Sequence, residues 1–247
     1  MALTSRDQSF LCTLIRDYST TRNGHERESK SYRAVTIGRV HLIDTPDTNP
    51  ESFFHDLGYV VVDSVDINNA EGSNIIHDMN TPILLDDGQE YDLVFDNGTM
   101  EHCFNPCQFI LNVHELTTVN GLVIHSNPVH NYVNHGFFTF SPCFYLAFYL
   151  LNAYEILELT FTGIRKVRKS SLTIYEPVFQ RRVKGNSILH LLKSPRVIIE
   201  CVPDAEVMVT LTTVVKKKYS LNARIPQQPI YSESFRSFPS APVLRLL

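Results

Sequence analysis

Residues 91–102 read Tyr91-Asp92-Leu93-Val94-Phe95-Asp96-Asn97-Gly98-Thr99-Met100-Glu101-His102. The apolar run Leu93-Val94-Phe95 suits a strand buried on both faces of a parallel sheet. Asp96-Asn97-Gly98 breaks that run with turn-forming residues. Glu101-His102 then brings two titratable groups just beyond the turn. An apolar strand that delivers short polar groups at its carboxyl end is how open parallel sheets build their sites, because ligands sit beyond that end.

The pattern recurs on both sides. Upstream, Ala34-Val35-Thr36-Ile37, Tyr59-Val60-Val61-Val62, Val65-Asp66-Ile67 and Asn74-Ile75-Ile76 read as strands. Downstream, Leu122-Val123-Ile124, Ile156-Leu157-Glu158-Leu159, Val197-Ile198-Ile199-Glu200 and Val207-Met208-Val209-Thr210 do the same. Between them, Pro50 to Leu57 reads as a helix stopped by Gly58. Pro106 to Thr118 sets Phe109, Ile110, Val113 and Leu116 on one side and stops at Asn120-Gly121. Pro142 to Leu151, introduced by Ser141, is the third helix. The alternation predicts an α/β fold of right-handed βαβ units, doubly wound around a mainly parallel sheet. Past residue 190 strand follows strand, which predicts an antiparallel final pair. Residues 1–33 read as an amphipathic helix and a polar lead-in, 34–220 as the α/β domain, and 221–247 as an extended tail with four prolines. The basic stretch 163–194 reads as an irregular insertion.

With 247 residues and 28.2 kDa the chain can bury one full-sized core. Its 22 Lys and Arg against 26 Asp and Glu give a formal charge of -4, which argues against attachment to nucleic acid or anionic lipid by overall charge. Five cysteines are too few and odd for a disulfide scaffold, so reduced thiols and a cytoplasmic setting are expected. The longest apolar run, Phe144 to Leu151, is under half of the ~20 residues a membrane span needs, so no membrane partner is expected. Lys216-Lys217-Lys218 and the Arg165-Lys166, Arg168-Lys169 group read as solvated faces or a protected strand edge.

Four consecutive strands deliver polar groups to one rim: Asp66, Asp78, Asp96-Asn97-Gly98 and Ser126-Asn127-Pro128. An acid after the second strand can accept from both hydroxyls of a ribose. An acid after the third can accept from an adenine amino group. Each alone can equally be a helix cap or an Asx turn. The stretch Tyr91 to His102 resembles the fourth-strand motif of class I S-adenosylmethionine-dependent methyltransferases. The similarity extends through Asn120 to Pro128 and upstream to Asp66 and Asp78, covering about residues 34–160. It implies a Rossmann-like, seven-stranded doubly wound sheet with S-adenosylmethionine bound across the first four strands. The residues it points to are Gly38, Arg39, Asp66, Asp78, Asp96, Asn97, Gly98 and His102. One departure stands out. Where the family has a Gly-rich loop, Ala34 to His41 offers only Gly38, followed by bulky Arg39, Val40 and His41. Either Arg39 meets the cofactor carboxylate there, or the pocket is closed.

Methyl transfer to a small-molecule or sugar-like acceptor is the activity this resemblance implies. A protonated acceptor needs a base, and His is the natural one at neutral pH. His135, in the loop after the fifth strand, is the first candidate and His130 the second. Phe137, Phe138 and Phe140 suit either an acceptor pocket or a helix-capping cluster. Cys103 and Cys107, four apart, read as small apolar groups on one helix face rather than as zinc ligands, and no metal site is expected. Two alternatives stand beside the enzyme: a catalytically inactive binding or assembly domain, and a metal-dependent hydrolase.

Overall fold

The protein is described by a computed structural model that covers residues 2–18, 31–44, 49–84, 89–169, 172–185 and 206–227. In chain order the elements are β1 (Ala2–Leu3), α1 (Ser5–Tyr18), β2 (Arg33–Ile37), β3 (His41–Leu42), α2 (Pro50–Asp56), β4 (Val61–Asp66) and β5 (Ile75–Ile76). They continue as β6 (Tyr91–Asp96), α3 (Pro106–Leu116), β7 (Thr117–His130), α4 (Pro142–Leu151), β8 (Tyr154–Lys169), β9 (Leu172–Lys184) and β10 (Val207–Lys217). The helix starts are chemical. Asn49 and Asn105 each accept a backbone N–H of the first turn, and proline follows each as the first helical residue.

Among the described residues the main sheet has eight strands in the order β5-β4-β2-β6-β7-β10-β8-β9. Pairing is parallel from β5 through β7, then antiparallel across β10, β8 and β9. Six strands therefore run one way, while β10 and β9 oppose them. The sheet is mainly parallel, as expected, with β9 as an eighth strand on the far edge. From β2 the chain steps outward through β4 to β5. It then returns to β6 on the other side of β2, so the strand order reverses there. The crevice at such a switch point is where open α/β sheets bind ligands.

The continuous apolar runs split between two cores because side chains alternate across a strand. Val35, Ile37, Val94 and Val123 face α3 and α4 with Phe109, Val113 and Tyr145. Ala34, Leu93, Phe95, Leu122 and Ile124 face the opposite layer, with Leu11, Leu14 and Ile15 of α1 and Phe54 of α2. Each buried side chain of this size contributes about 1.5–3 kcal/mol. Among the described residues, no helix is long and apolar enough to cross a membrane.

Several local expectations change. The amphipathic helix expected near the N-terminus is α1, which packs on the sheet, but ahead of it β1 adds an unexpected parallel pair with β3, Ala2 beside His41 and Leu3 beside Leu42. The stretch expected to be irregular from Gly163 is, up to Lys184, largely strand: β8 and β9 pair antiparallel, with a register shift between Gly163 and Ile164, and β9 extends the sheet. Helix α3 stops at Leu116, ahead of Asn120-Gly121, and Thr117 already pairs with Tyr91. Lys217 is buried rather than solvated, its Nζ donating to the carbonyls of His114 and Thr117 where α3 ends. A cation there satisfies orphan carbonyls and complements the helix dipole. The expected strand Val197–Glu200, most of the polar lead-in and residues 228–247 of the tail lie outside the described residues.

Glu158 of β8 fastens α1 and β9 to the sheet. Its carboxylate is fully buried and accepts from Arg182, Thr160 (2.6 Å) and the Tyr18 hydroxyl (2.8 Å), with Lys184 at 3.1 Å. Burial pushes its pKa up, but these donors outweigh burial and bring it down from 4.5 to about 2. A depressed carboxyl contributes stability that is complete above its unfolded pKa and is lost as pH falls toward the folded one. Thermal melts should therefore show Glu158→Gln less stable than the parent at pH 7. The gap should narrow between about pH 4.5 and pH 2. A constant gap across that range would remove Glu158 as the source.

Candidate functional site

Adjacent strand tips form the site. Register aligns Ile37 with Val65 and with Asp96, and Asp96 with His125, so β4, β2 and β6 end along one line while β7 runs on past it to His130. Asp66 lies beside Ile76, and its carbonyl accepts the His77 N–H, so Asp66 and Asp78 sit on neighbouring tips.

Gly38 follows β2 with φ +81°, and a Cβ there would stand 2.4 Å from the Thr99 hydroxyl oxygen. Glycine is required both for the left-handed backbone and for that approach. Thr99 donates to the Ile37 carbonyl (2.7 Å), and its own N–H goes to Asp96 (2.9 Å), tying the loops after β2 and β6 together. Asp66 accepts the Arg39 N–H (3.2 Å) and the Ile67 N–H (2.7 Å). The Arg39 guanidinium pairs with Glu51 of α2, and Val40 is buried. The deviant residues are thus absorbed into packing and an ion pair while the backbone still turns at Gly38. Asp78 accepts the N–H and the side-chain amide of Asn80 on one oxygen, and these bonds hold its carboxyl below the usual range. That is the Asx turn the sequence allowed.

The centre is Asp96, fully buried. One oxygen takes Thr99 N–H; the other takes His125 Nδ1–H (2.8 Å) and Asn127 Nδ2–H (3.0 Å). The Tyr149 hydroxyl, kept protonated by burial, donates to His125 Nε2 (2.6 Å). Asn127 also donates to Glu101 Oε2 (3.0 Å) and accepts from the buried Tyr145 hydroxyl (2.6 Å). Glu101 lies in a short 3₁₀ turn, Met100–His102, with 2% of its surface exposed. Burial, then the charge of Asp96, raises its pKa to about 7. Cys103 next to it is pushed up to about 12, by burial first and then by Asp96, Asp78, Glu101 and Asp66. Four carboxylates from the rim therefore act on one point.

Beside this rim a cleft of about 540 Å³ opens. Asn97, Gly98, Glu101 and His135 line one side, Thr162, Gln180, Thr210 and Thr212 the sheet side, and Arg6, Asp7 and Phe10 of α1 another wall. His135 comes to Glu101, its Nε2 3.7 Å from Oε1, and packs edge-on against the His102 ring at 5.0 Å. His130 ends β7 exposed, apart from the cleft lining. Phe137 and Phe138 pack on Phe104, and Phe140 on Phe144 and Tyr145, making a cluster ahead of α4 rather than a cleft wall. Cys103 falls before α3, so it does not share a helix face with Cys107.

Glu101 and Asn127 carry no role in the sequence pattern beyond their position: Glu101 sits in the turn after β6, and Asn127 lies in β7 just past the apolar run Leu122-Val123-Ile124. The approach of Arg6, Asp7 and Phe10 to the cleft has no local signal.

No family model matches the chain, and no curated protein matches it. Among solved structures it is similar to an O-methyltransferase from the trans-AT PKS multienzyme of Brevibacillus brevis in complex with S-adenosyl-L-homocysteine. Identity is 12% over 85% of this chain and 71% of that one, with TM-score 0.48. It is also similar to the N-methyltransferase NodS of Bradyrhizobium japonicum WM9, likewise with S-adenosyl-L-homocysteine, at 9% identity over 87% and 89% of the two chains, TM-score 0.43. A third is an S-adenosylmethionine-dependent methyltransferase from Clostridium acetobutylicum ATCC 824, at 9% identity over 86% and 91%, TM-score 0.37. The strand order and the switch point at β2 and β6 define the fold independently as a doubly wound, Rossmann-like α/β fold.

The loop that carries His135 is sewn to Glu101: Phe137 N–H donates to the Glu101 carbonyl (2.8 Å), and a Cβ on Gly136 would stand 2.7 Å from that oxygen. Gly136→Ala must displace the loop or the turn. Urea denaturation should show a loss of about 1–3 kcal/mol, and an unchanged midpoint would contradict this close approach.

Proposed function

We propose that the protein transfers a methyl group from S-adenosylmethionine to a hydroxyl of a small, sugar-like acceptor. The observation that carries this reading is the row of carboxylates at the tips of β4, β5 and β6, with a cleft beside it that Thr and Gln side chains line on the sheet side. The residues present fit the cofactor. Asp66 uses two of its roughly four acceptor positions on backbone N–H groups, which leaves capacity for a ribose diol. One oxygen of Asp78 takes both Asn80 donors, so the other is available to an amino group. Asn97 and Gly98 offer the turn between the cofactor side and the cleft, and the gathered negative charge suits a cationic sulfonium.

When bound, the cofactor supplies an electrophilic methyl group. The protein's share is positioning and exclusion of water, worth up to about 7–11 kcal/mol for well-oriented reactants. Helix α1 and β1 form one wall of the cleft. Thr162, Gln180, Thr210 and Thr212 offer hydroxyl and amide groups to a polyol, and the half-exposed Tyr175 offers a ring face. His135 is placed to act on the acceptor hydroxyl, with Glu101 behind it. The Gly38 turn directly after β2 keeps its backbone free of side chain, which favours this reading over a retired binding domain.

Two measurements test it. Calorimetry should show S-adenosylmethionine binding to the parent and at least tenfold weaker binding to Asp66→Ala, about 1.4 kcal/mol or more. Equal affinities would discard the ribose assignment. His135→Asn should lower turnover about 10²–10⁴-fold with cofactor affinity nearly intact. Unchanged turnover on an accepted substrate would remove His135.

A further inference from the structure

Glu101, His102 and His135 bring one carboxylate and two imidazoles together, their ligating atoms all within 4.8 Å of one another. We propose that these three residues bind a divalent first-row metal ion at the cleft's edge, and that the ion takes two neighbouring oxygens of a vicinal-diol acceptor. Ligands in neighbouring positions around such an ion lie about 3 Å apart, given bonds of about 2.1 Å. The gap to close is small, and both imidazoles are exposed and can turn about their side-chain torsions.

The carboxylate is built as a ligand. Asn127 donates to Oε2, which leaves Oε1 directed toward His135. Asn127 is itself fixed by the buried Tyr145 hydroxyl and by Asp96. A ligand oriented by hydrogen bonds from a buried shell is the usual arrangement behind a metal. The backbone of the same turn holds the loop of the third ligand, through Phe137 N–H on the Glu101 carbonyl. Two imidazoles and one carboxylate suit zinc, iron, cobalt or nickel rather than magnesium or calcium. Three protein ligands on one side leave positions open, and Glu101 and His135 both line the cleft, so those positions face the acceptor.

Cation binding stands on these residues alone; its role in catalysis rests on the proposed methyl transfer. With the ion bound, His135 is a ligand rather than the proton acceptor. The acceptor's O–H bond breaks with the proton going to water in the cleft, and the oxygen remains on the metal as an alkoxide. That oxygen then takes the methyl group as the sulfonium becomes a neutral thioether. The ion thereby lowers the hydroxyl pKa without a free base.

The test titrates cobalt(II), as a visible probe, into metal-free full-length protein. One equivalent should give d–d absorption bands, and zinc should displace it. His102→Ala and His135→Ala should each weaken binding roughly tenfold or more, and Asn127→Ala should do so through Glu101. The double variant His102→Ala/His135→Ala should lose the bands while keeping the parent's circular dichroism. No bands at millimolar cobalt, or equal affinity in that folded double variant, would overturn the site. Thermal shift with S-adenosylmethionine on the same samples reads the cofactor cradle separately. Cobalt binding without a cofactor shift retires methyl transfer and leaves the metal site standing.

Discussion

A single buried carboxylate organises the functional end of this molecule. Asp96 has lost its water, and an ion in that state is tolerable only when its lone pairs are filled by fixed donors. Those donors come from three places: the turn that follows β6, and two side chains of β7. Meeting the demands of one group therefore fixes the loop after β6 against β7, and Thr99 carries the tie on to the end of β2. Glu101 inherits its place from the same network through Asn127, which spans both acids with its two amide protons. The scaffold is in effect wound around an electrostatic requirement.

The apolar parts of the architecture were readable in the sequence for a simple reason. Leu93-Val94-Phe95 and Leu122-Val123-Ile124 contain no polar position, so neither face of either strand can meet water, and helices must cover both. Helix starts were readable because Asn49, Asn105 and the prolines after them act locally. The acids of the rim were readable because they follow strands, and position relative to a strand end is a property of the chain itself.

What escaped was non-local. Lys217 lies in a run of three lysines that reads as solvent-facing, yet its ammonium group closes the end of α3. Glu158 sits amid apolar residues of β8 and meets four donors drawn from α1, β8 and β9. The Gly163 stretch looked irregular because its charges hide the alternation, and only pairing with β9 reveals the strand. In each case the deciding partner is many residues away, and nothing near the residue announces it. His135 stood out by its place in the loop after the fifth strand, but its meeting with Glu101 depends on where Gly136 lets the backbone approach.

The pairing of Ala2-Leu3 with His41-Leu42 has a mechanical side. The strand that leads into α1 is laced to the chain just beyond Gly38, by backbone bonds that include Ile43 N–H to the Leu3 carbonyl. Displacing β1 would therefore pull on the segment that follows Arg39, whose N–H is held by Asp66. Two layers that look separate in the chain, the first helix and the turn after β2, share one fastening.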